Sequence, residues 1–488
     1  MAAPTAMLQA SLLSFIFLVA IDATSIVLAV STIAVDLGGN ATESFWVGAS
    51  YLLSMCLAQP IVAQLTYMFW LKSLVLASIV MLGVGSLLCE GANGLPLLLT
   101  GRTVQGLGAG GLTVLSYSVY GNKNEPSEPE HSIFLSLLAP TNAPNTKSPI
   151  TRISDLEFVG ILLFIVSVAP LLVGLSFAGS LYRWDEWQVI VPIASGGKPL
   201  IGLKLLKGQG IITFGGAFVL GLLMYALLLF LPIYYRAIKG KSAIATAIFL
   251  LPQTLMMAPC AGVVLVLVRL LRLHYSYTIL LGWFCTAIGM GLLALLGAET
   301  SAVSDVLLNL LSGFGIGILL PALAYSAQEG KAQEDEMQKD KIQEDKVREA
   351  TMVFIFMRYL GSALGLVVIG LIFQRVLRSN LGSTKFKSEA DNMSKYATTL
   401  MYSIREISNL EDKRILIQVT EKSLRTVWLS LSLLSIAMFL LSCGTFVAGR
   451  EEQRWRGQMR KSSIESVPQH RKIEISSGLG LESLEKRT

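Results

Sequence analysis

Residues 95–120 read LPLLLTGRTVQGLGAGGLTVLSYSVY and contain a single charged side chain, Arg102. The segment is long enough to cross a bilayer as a helix, which needs about 20 residues. Charge is equally scarce over residues 1–120, which hold six charged side chains, and the whole chain is 53% hydrophobic and 15% charged. Soluble domains carry roughly 25% charged residues. The sequence therefore predicts an all-α polytopic membrane protein, because a helix satisfies its own backbone in lipid.

Eleven apolar segments have the length of a membrane span. They lie at about 9–35, 46–69, 73–89, 95–120, 158–180, 210–235, 243–268, 276–298, 303–326, 351–374 and 426–448. Lys and Arg residues in the short loops and the tail predict that both termini are cytoplasmic, which requires an even number of crossings. We therefore expect a twelfth crossing at 187–209, as a helix broken at Lys198 and Pro199.

Polar segments divide the chain into regions. Residues 121–157 contain five prolines and predict a flexible cytoplasmic linker. Residues 328–350 mix acidic and basic side chains at helical spacing, which favours a solvated helix with charge pairs four residues apart over a regulatory docking site. The predicted regions are 1–120 (helices one to four), 121–157 (linker), 158–209 (one span and a truncated one), 210–327 (four spans), 328–350 (charged cytoplasmic loop), 351–449 (the last two spans, with a charged outer loop at 379–424) and 450–488 (basic cytoplasmic tail).

The sequence does not contain the residue patterns that several classes of function require. Around Gly197-Lys198, a Walker loop would require Gly and Ser or Thr where Pro192 and Pro199 stand. The three histidines and five cysteines show no spacing typical of metal ligands. We therefore expect no enzyme activity, no ATP, no cofactor, no metal and no nucleic-acid partner, and a lipid bilayer as the environment of the chain.

Two charged side chains inside predicted spans are the best candidates for function. Asp22 has fifteen uncharged residues before it (7–21) and thirteen after it (23–35) in a largely apolar stretch, and Arg102 lies about seven residues inside its span. A charge near the bilayer centre costs about 3 kcal/mol, so each needs a partner or a water-filled cavity. The functional interpretation is a proton or substrate site. The structural interpretation is a carboxylate hydrogen-bonded locally, or an ion pair of the two residues. Arg358, seven residues into its span, raises the same question.

Glycines and two sequons complete the candidate residues. Small residues four apart allow helices to approach closely, which predicts helix packing, with a sliding interface as the alternative. The glycines concerned are Gly106, Gly108 and Gly110 in one span and Gly361 and Gly365 in another. The sequons begin at Asn40 and Asn392 in loops predicted to lie outside, so both asparagines are candidates for glycosylation.

Residues 22–34, DATSIVLAVSTIA, and 101–111, GRTVQGLGAGG, resemble the first-helix and fourth-helix signatures of the major facilitator superfamily. The resemblance is to its fourteen-helix drug:proton antiporter branch, of the toxin and secondary-metabolite efflux type, and covers most of residues 11–375 and the last span. It implies the major facilitator fold and proton-coupled efflux of a small organic molecule. Two halves would alternate around a midplane cavity.

The resemblance also implies roles for single residues. By position, Arg102 matches the fourth-helix arginine associated with proton coupling and Asp22 matches the first-helix acid of this branch, so either would couple proton entry to substrate exit. Gln105 and Gly106 complete the fourth-helix motif. Arg358 is a further candidate for transport, with Gly361 and Gly365 beside it. The expected partners are the small organic substrate and the proton. The expected location is the plasma membrane, with the vacuolar membrane as the alternative.

The chain departs from the family pattern in its N-terminal half. The gating motif aligned on residues 63–72, AQLTYMFWLK, keeps only Lys72. Helices five and six of the family are absent between 120 and 158, and the eighth is reduced to 187–206. Two alternatives to an efflux carrier therefore stay open. One is a degenerate or mis-spliced relative without transport activity, and the other is a proton-coupled uptake carrier.

Overall fold

The computed structural model describes residues 14–23, 41–66, 69–121, 210–266, 275–332, 340–395, 404, 407 and 409–465, and these residues form helices, turns and no strand. In chain order the helices are α1 (Ser14–Ala23), α2 (Ala41–Leu65), α3 (Leu71–Glu90), α4 (Leu95–Gly121), α5 (Ile211–Ile238), α6 (Ala243–Leu265), α7 (Tyr275–Leu292), α8 (Ala302–Ala332), α9 (Asp340–Leu381), α10 (Ala390–Lys395) and α11 (Leu410–Glu465). Both ends of α5 are π-helical turns. The prediction of an all-α membrane protein is confirmed.

Eight of the described helices are long and apolar enough to cross a membrane. They are α2, α3, α5, α6, α7, α8, α9 and α11, and each coincides with a predicted span. The predicted span at 95–120 is the helix α4, whose arginine, glutamine and glycines lower its hydropathy. Of the span at 9–35 the structure describes the ten residues of α1. The linker at 121–157, the span at 158–180 and the broken crossing at 187–209 lie outside the described residues.

Both segments that were predicted to be charged loops contain helix; the charge spacing of 328–350 favoured a solvated helix there, whereas no helix was predicted within 379–424. Within 328–350, α8 continues to Ala332 and α9 begins at Asp340. Within 379–424, the structure has the short helix α10 and the first turns of α11, which begins at Leu410. The extension of α11 is explained by a buried stripe at helical spacing. Its members are Leu416, Thr420, Leu424 and Val427.

Glycines hold α4 between two neighbouring helices. A Cβ atom at Gly106 would overlap Ser54 and the carbonyl of Tyr51, and one at Gly110 would overlap the carbonyl of Met55, so both glycines face α2. A Cβ atom at Gly108 would overlap the backbone of α3. These alternating glycines let α4 touch α2 and α3 at backbone distance on opposite faces.

Helix α8 repeats this arrangement in the second half of the chain. Gly313 and Gly317 face α6, at Gln253 and Met257, while Gly315 faces α7. The order of the glycines and of the helices that they contact is the same as in α4. The unit α2–α3–α4 is therefore matched by the unit α6–α7–α8, as expected for a transporter fold built from repeats.

Helix α9 contacts helices from both repeated units. A Cβ atom at Gly361 would overlap the carbonyl of Phe218, and one at Gly221 would overlap the carbonyl of Arg358, so α9 and α5 cross at backbone contact. Against α2, the thiol of Cys56 lies 3.9 Å from the carbonyl oxygen of Phe356. Residues near 358 on α9 are consequently held next to both α2 and α5.

The chain divides into two compact units, residues 1–439 and residues 440–488. The second unit contains the C-terminal part of α11, which is helical to Glu465. The candidate site lies within the first unit.

Candidate functional site

Arg102 is the centre of a buried polar cluster in the N-terminal half. It lies two turns into α4, and its side chain is 2% exposed. Its guanidinium carbon stands 4.2 Å from the ring centroid of Tyr51 on α2, in cation–π geometry. Its Nη1 atom lies 3.4 Å from Oδ2 of Asp22 on α1 and 2.6 Å from Oε1 of Gln105. The ion pair that the sequence offered as one interpretation is present.

Gln105 joins the other members of this cluster. Its Nε2 atom donates to Oδ1 of Asp22 at 2.6 Å and to the hydroxyl of Ser86 on α3 at 2.9 Å, while its Oε1 atom accepts from Arg102. The hydroxyl of Ser86 in turn donates to the carbonyl of Leu82. The amide therefore links α1, α3 and α4, and each of its two ends has a partner of the right kind.

Arg102 retains donors that the cluster does not use. Its Nε and Nη2 atoms are buried, and neither has a hydrogen-bond acceptor among the residues that the structure describes. A buried donor without an acceptor costs about 1–3 kcal/mol, and more on a charged group. A guanidinium with spare N–H groups is suited to bind an oxygen acceptor.

The other predicted site residues lie on separate helices. Arg358 is partly buried on α9, with its guanidinium carbon 4.6 Å from the ring centroid of Tyr359. Gly365 faces Leu222 on α5, in the crossing that Gly361 also forms. Asn392 is exposed on α10, and the hydroxyl of Ser394 in its sequon donates to the carbonyl of Asp391 at 3.0 Å. Asn40 lies outside the described residues, as do Thr24 and Ser25, the neighbours in the sequence that could hydrogen-bond Asp22 locally.

A second polar cluster lies where α5 ends and α8 begins, and the sequence analysis did not select it. The carboxylate of Asp305 accepts from the hydroxyls of Tyr234 at 3.1 Å and Thr300 at 2.7 Å. The ammonium of Lys239 lies 3.5 Å from its other oxygen. Asp305 and Lys239 flank predicted spans, where charges are ordinary, so hydropathy gave no reason to single them out. One available signal was the tyrosine pair 234–235, which ends four residues before Lys239.

Comparisons of sequence and of fold show which known proteins this chain is similar to. A scan against protein-family models finds no match. The MFS transporter L2 of Phoma sp. is 27% identical over 485 residues, covering 87% of this chain and 79% of the relative. The efflux pump FUS6 of Gibberella moniliformis is 26% identical, covering 84% and 82%.

Solved structures share the fold at low sequence identity. A bacterial homologue of the human lysosomal transporter Spinster, in an inward-facing unoccupied conformation, gives a TM-score of 0.59 at 14% identity and covers 92% of this chain and 98% of that chain. The nucleoside transporter NupG gives 0.51 at 12% identity, covering 91% and 99%.

In sequence the chain is similar to transporters and efflux pumps of the MFS type, and it shares the fold of solved transporters, which together support a secondary transporter. It is a multi-pass membrane protein, and its relatives are named as transporters and efflux pumps, which points to a protein that is not an enzyme. The cluster of Asp22, Arg102 and Gln105 joins α1 to α4 of the first repeated unit, and the cluster of Lys239 and Asp305 joins the end of α5 to α8 of the second.

Proposed function

We propose that this transporter couples proton entry to the efflux of a small organic molecule, with Asp22 as the proton-carrying group. The observation that carries the proposal is the contact of Asp22 with both Arg102 and Gln105 inside the span region. Among the described residues of that cluster, Asp22 carries the one carboxylate. Its ionisation state therefore decides the net charge around Arg102.

The two protonation states of Asp22 differ in the bonds that they allow. The ionised carboxylate accepts from Gln105 and offsets the charge of Arg102. Protonation removes that charge and leaves one oxygen as a hydrogen-bond donor. Arg102 then stands without its counter-charge, and α1 loses an electrostatic attachment to α4. Such a change can bias one of two arrangements of the helices, which is what coupling requires.

The direction and the substrate class are supported by relatives. Matching proteins of similar length include efflux pumps and a transporter of the acurin A biosynthesis cluster of Aspergillus aculeatus, which is 27% identical. These names favour export of a secondary metabolite or toxin. The plasma membrane is the location at which export from the cell would take place.

The substitution Asp22→Asn tests the proton-carrying role. The asparagine keeps an acceptor for Gln105 but cannot bind or release a proton. Purified chain is reconstituted in proteoliposomes, a pH gradient is imposed, and the movement of three dyes is followed: rhodamine 123 (cation), Nile red (neutral) and fluorescein (anion). We expect gradient-driven flux of at least one dye in the unmodified chain and a loss of at least tenfold in Asp22→Asn.

Asp391→Asn is the matched control, because Asp391 is an exposed carboxylate on α10 paired with Arg378. It should transport as the unmodified chain does. Gradient-driven flux that is equal in Asp22→Asn and in the control would contradict the role of Asp22. Absence of flux in the unmodified chain, for every dye, would favour the inactive relative over the carrier.

A further inference from the structure

The ion pair of Asp22 and Arg102 is a long one. Nη1 of Arg102 lies 3.4 Å from Oδ2 of Asp22, whereas a charge-assisted hydrogen bond between such groups is about 2.7–2.9 Å long. The same nitrogen atom lies 2.6 Å from Oε1 of the neutral Gln105. Arg102 is therefore closer to an uncharged acceptor than to its counter-charge, so the attraction of Asp22 alone does not fix its position.

The ring of Tyr51 covers one face of this guanidinium. The guanidinium carbon of Arg102 lies 4.2 Å from the ring centroid, and Tyr51 is 1% exposed. The negative face of an aromatic ring attracts a cation and favours its position over the ring. Tyr51 thus holds the face of the guanidinium while Gln105 holds its edge, and both of these side chains are neutral.

The backbone that carries this ring is fixed by two other helices. A Cβ atom at Gly106 would overlap the carbonyl of Tyr51, so α4 touches α2 at this residue. Against α9, the thiol of Cys56 lies 3.9 Å from the carbonyl oxygen of Phe356. The ring is consequently a rigid part of the bundle, and the longer, more flexible side chain of Arg102 adapts to it.

The distance between Arg102 and Asp22 affects how readily the carboxylate binds a proton, because a closer cation stabilises the ionised form. At an effective dielectric constant of about 20, shortening the separation from 3.4 Å to about 2.8 Å would weaken proton binding about fivefold. A side chain that keeps Arg102 back therefore helps Asp22 to take up a proton.

Other titratable groups also surround the carboxylate. Those that interact with Asp22 come from four helices and are Arg102 on α4, Tyr51 on α2, Cys89 on α3 and Tyr225 on α5. On α9, Arg358 and Tyr359 interact with Tyr225. Of the four groups that interact with Asp22, Arg102 is the one that carries a charge at neutral pH. Its position is consequently the main variable of this site.

We propose that Tyr51 is a positioning residue of the proton site: its ring holds Arg102 away from Asp22 and so sets the pH at which Asp22 takes up a proton. The ring acts through Arg102 and not through its hydroxyl. This inference rests on the proposed function in that Asp22 is the proton-carrying group, and the protonation of Asp22 is measured on its own, without transport.

Protonation of Asp22 is followed without any gradient, on the purified full-length chain in lipid nanodiscs. Infrared difference spectra recorded between pH 4 and pH 9 contain the carbonyl band of each carboxyl group that gains a proton. The component that is missing from Asp22→Asn belongs to Asp22. Its intensity against pH gives the midpoint of protonation, after subtraction of empty nanodiscs.

Two substitutions separate the ring from the hydroxyl. Tyr51→Leu removes the aromatic face, so Arg102 approaches Asp22, and we expect the proton affinity to fall about fivefold, which moves the midpoint to lower pH. Tyr51→Phe keeps the face and should change the affinity less than twofold. Tyr277→Leu is the matched control, since Tyr277 lies exposed on α7. If Tyr51→Leu does not give a monodisperse protein, Tyr51→Met replaces it.

A further pair of variants tests whether the ring acts through Arg102. An Arg102→Gln chain has no cation at this position, so adding Tyr51→Leu to it should change the proton affinity less than twofold. A ring that only kept water away from Asp22 would give the same fall in both backgrounds, and that result would overturn the positioning role.

The outcomes separate this inference from the proposed function. An unchanged or raised midpoint in Tyr51→Leu overturns the inference, and so does an equal fall in Tyr51→Phe, which would assign the effect to the hydroxyl. Either result leaves the proposed function standing where Asp22-dependent flux is intact. A midpoint that depends on Tyr51 through Arg102, in a chain without gradient-driven flux, supports the positioning role while the efflux function fails.

Discussion

Gln105 donates to Asp22 over 2.6 Å, a shorter contact than the 3.4 Å that separates Asp22 from Arg102. The neutral amide thus stands between the two charges, since its oxygen accepts from Arg102 at 2.6 Å. The geometry of the ion pair is consequently set by an uncharged side chain. This makes Gln105 a positioning residue, and its removal has consequences that differ from the removal of either charge.

Gln105→Met keeps the approximate size of the side chain and removes both hydrogen bonds. We expect a loss of about 1–3 kcal/mol in stability, because Asp22 and Ser86 lose a buried partner, and a shifted pH dependence of dye flux, because the carboxylate loses its closest donor. Thermal unfolding in detergent and flux from pH 5 to 8 measure the two effects. Gln59→Met on α2 is the control, since neither polar atom of Gln59 has a partner within the described residues. Equal destabilisation of both variants would refute the bridging role.

The contact of α4 with α2 should not tolerate a methyl group. Gly106→Ala places a Cβ atom where the carbonyl of Tyr51 and the hydroxyl of Ser54 lie, and overpacking of this kind costs about 1–3 kcal/mol. Gly83→Ala on α3 meets no atom within 4 Å, so it should be neutral or stabilising by up to about 1 kcal/mol. Melting temperatures of the two variants provide the test. A Gly106→Ala variant as stable as Gly83→Ala would contradict the backbone contact.

The pair of Lys239 and Asp305 should be strongly coupled, because their side chains are 9% and 3% exposed. Asp305→Asn leaves the ammonium buried without its counter-charge, and we expect a loss of about 3–5 kcal/mol. Lys239→Met should cost a similar amount. The double variant should lose less than the sum of the single losses, and a thermal double-mutant cycle measures the difference. Strictly additive losses would show that the two charges act independently.

The start of α11 should loosen at high pH. The ammonium of Lys385 bonds to the carboxylate of Asp412, and this hydrogen bond raises the pKa of Lys385. A lysine whose pKa is raised on folding stabilises the fold below its unfolded pKa of about 10.4, and that contribution disappears as the pH rises through the folded pKa. The contact should therefore be constant from pH 6 to 9.

A spin label at Leu410→Cys, in a chain whose native cysteines are alanine, reports this contact. Its mobility should stay low to pH 9 and rise only above about pH 10.4, where the contact is lost, and the label in Lys385→Gln should be mobile throughout. Lys422→Gln, an exposed lysine on the same helix, should behave as the unmodified chain. A label equally immobile in Lys385→Gln would show that other contacts hold the helix start.

The sequence alone could identify the site residues that carry a charge within an apolar span. Asp22 and Arg102 interrupt apolar runs, and a charge in lipid must find a partner, so their importance follows from the pattern alone. Gln105 was available through the family resemblance, but its partner Ser86 lies on another helix and has no local signature. Tyr51 agrees with an apolar pattern, and only the packing of α2 against α4 places its ring beside Arg102.

The bounds of a helix could be predicted from the sequence where an unbroken apolar run forms the span. The start of α11 could not be predicted, because charged residues at 411–414 and 421–425 surround the buried stripe that begins at Leu416 and mask its helical spacing. The number of charged residues suggested a loop, whereas one buried side chain per turn packs this part of α11 against its neighbours.

Lys239 has one more consequence for the transporter. Its ammonium lies 2.5 Å from the carbonyl oxygen of Thr300, 3.3 Å from that of Ala298, and beside the carboxylate of Asp305. A group of oxygen atoms placed in this way could also bind a sodium or potassium ion, but here the positive charge belongs to the chain itself and is not taken up from solution. We therefore expect the packing of Lys239 and Asp305 to be the same whether the medium contains sodium or potassium.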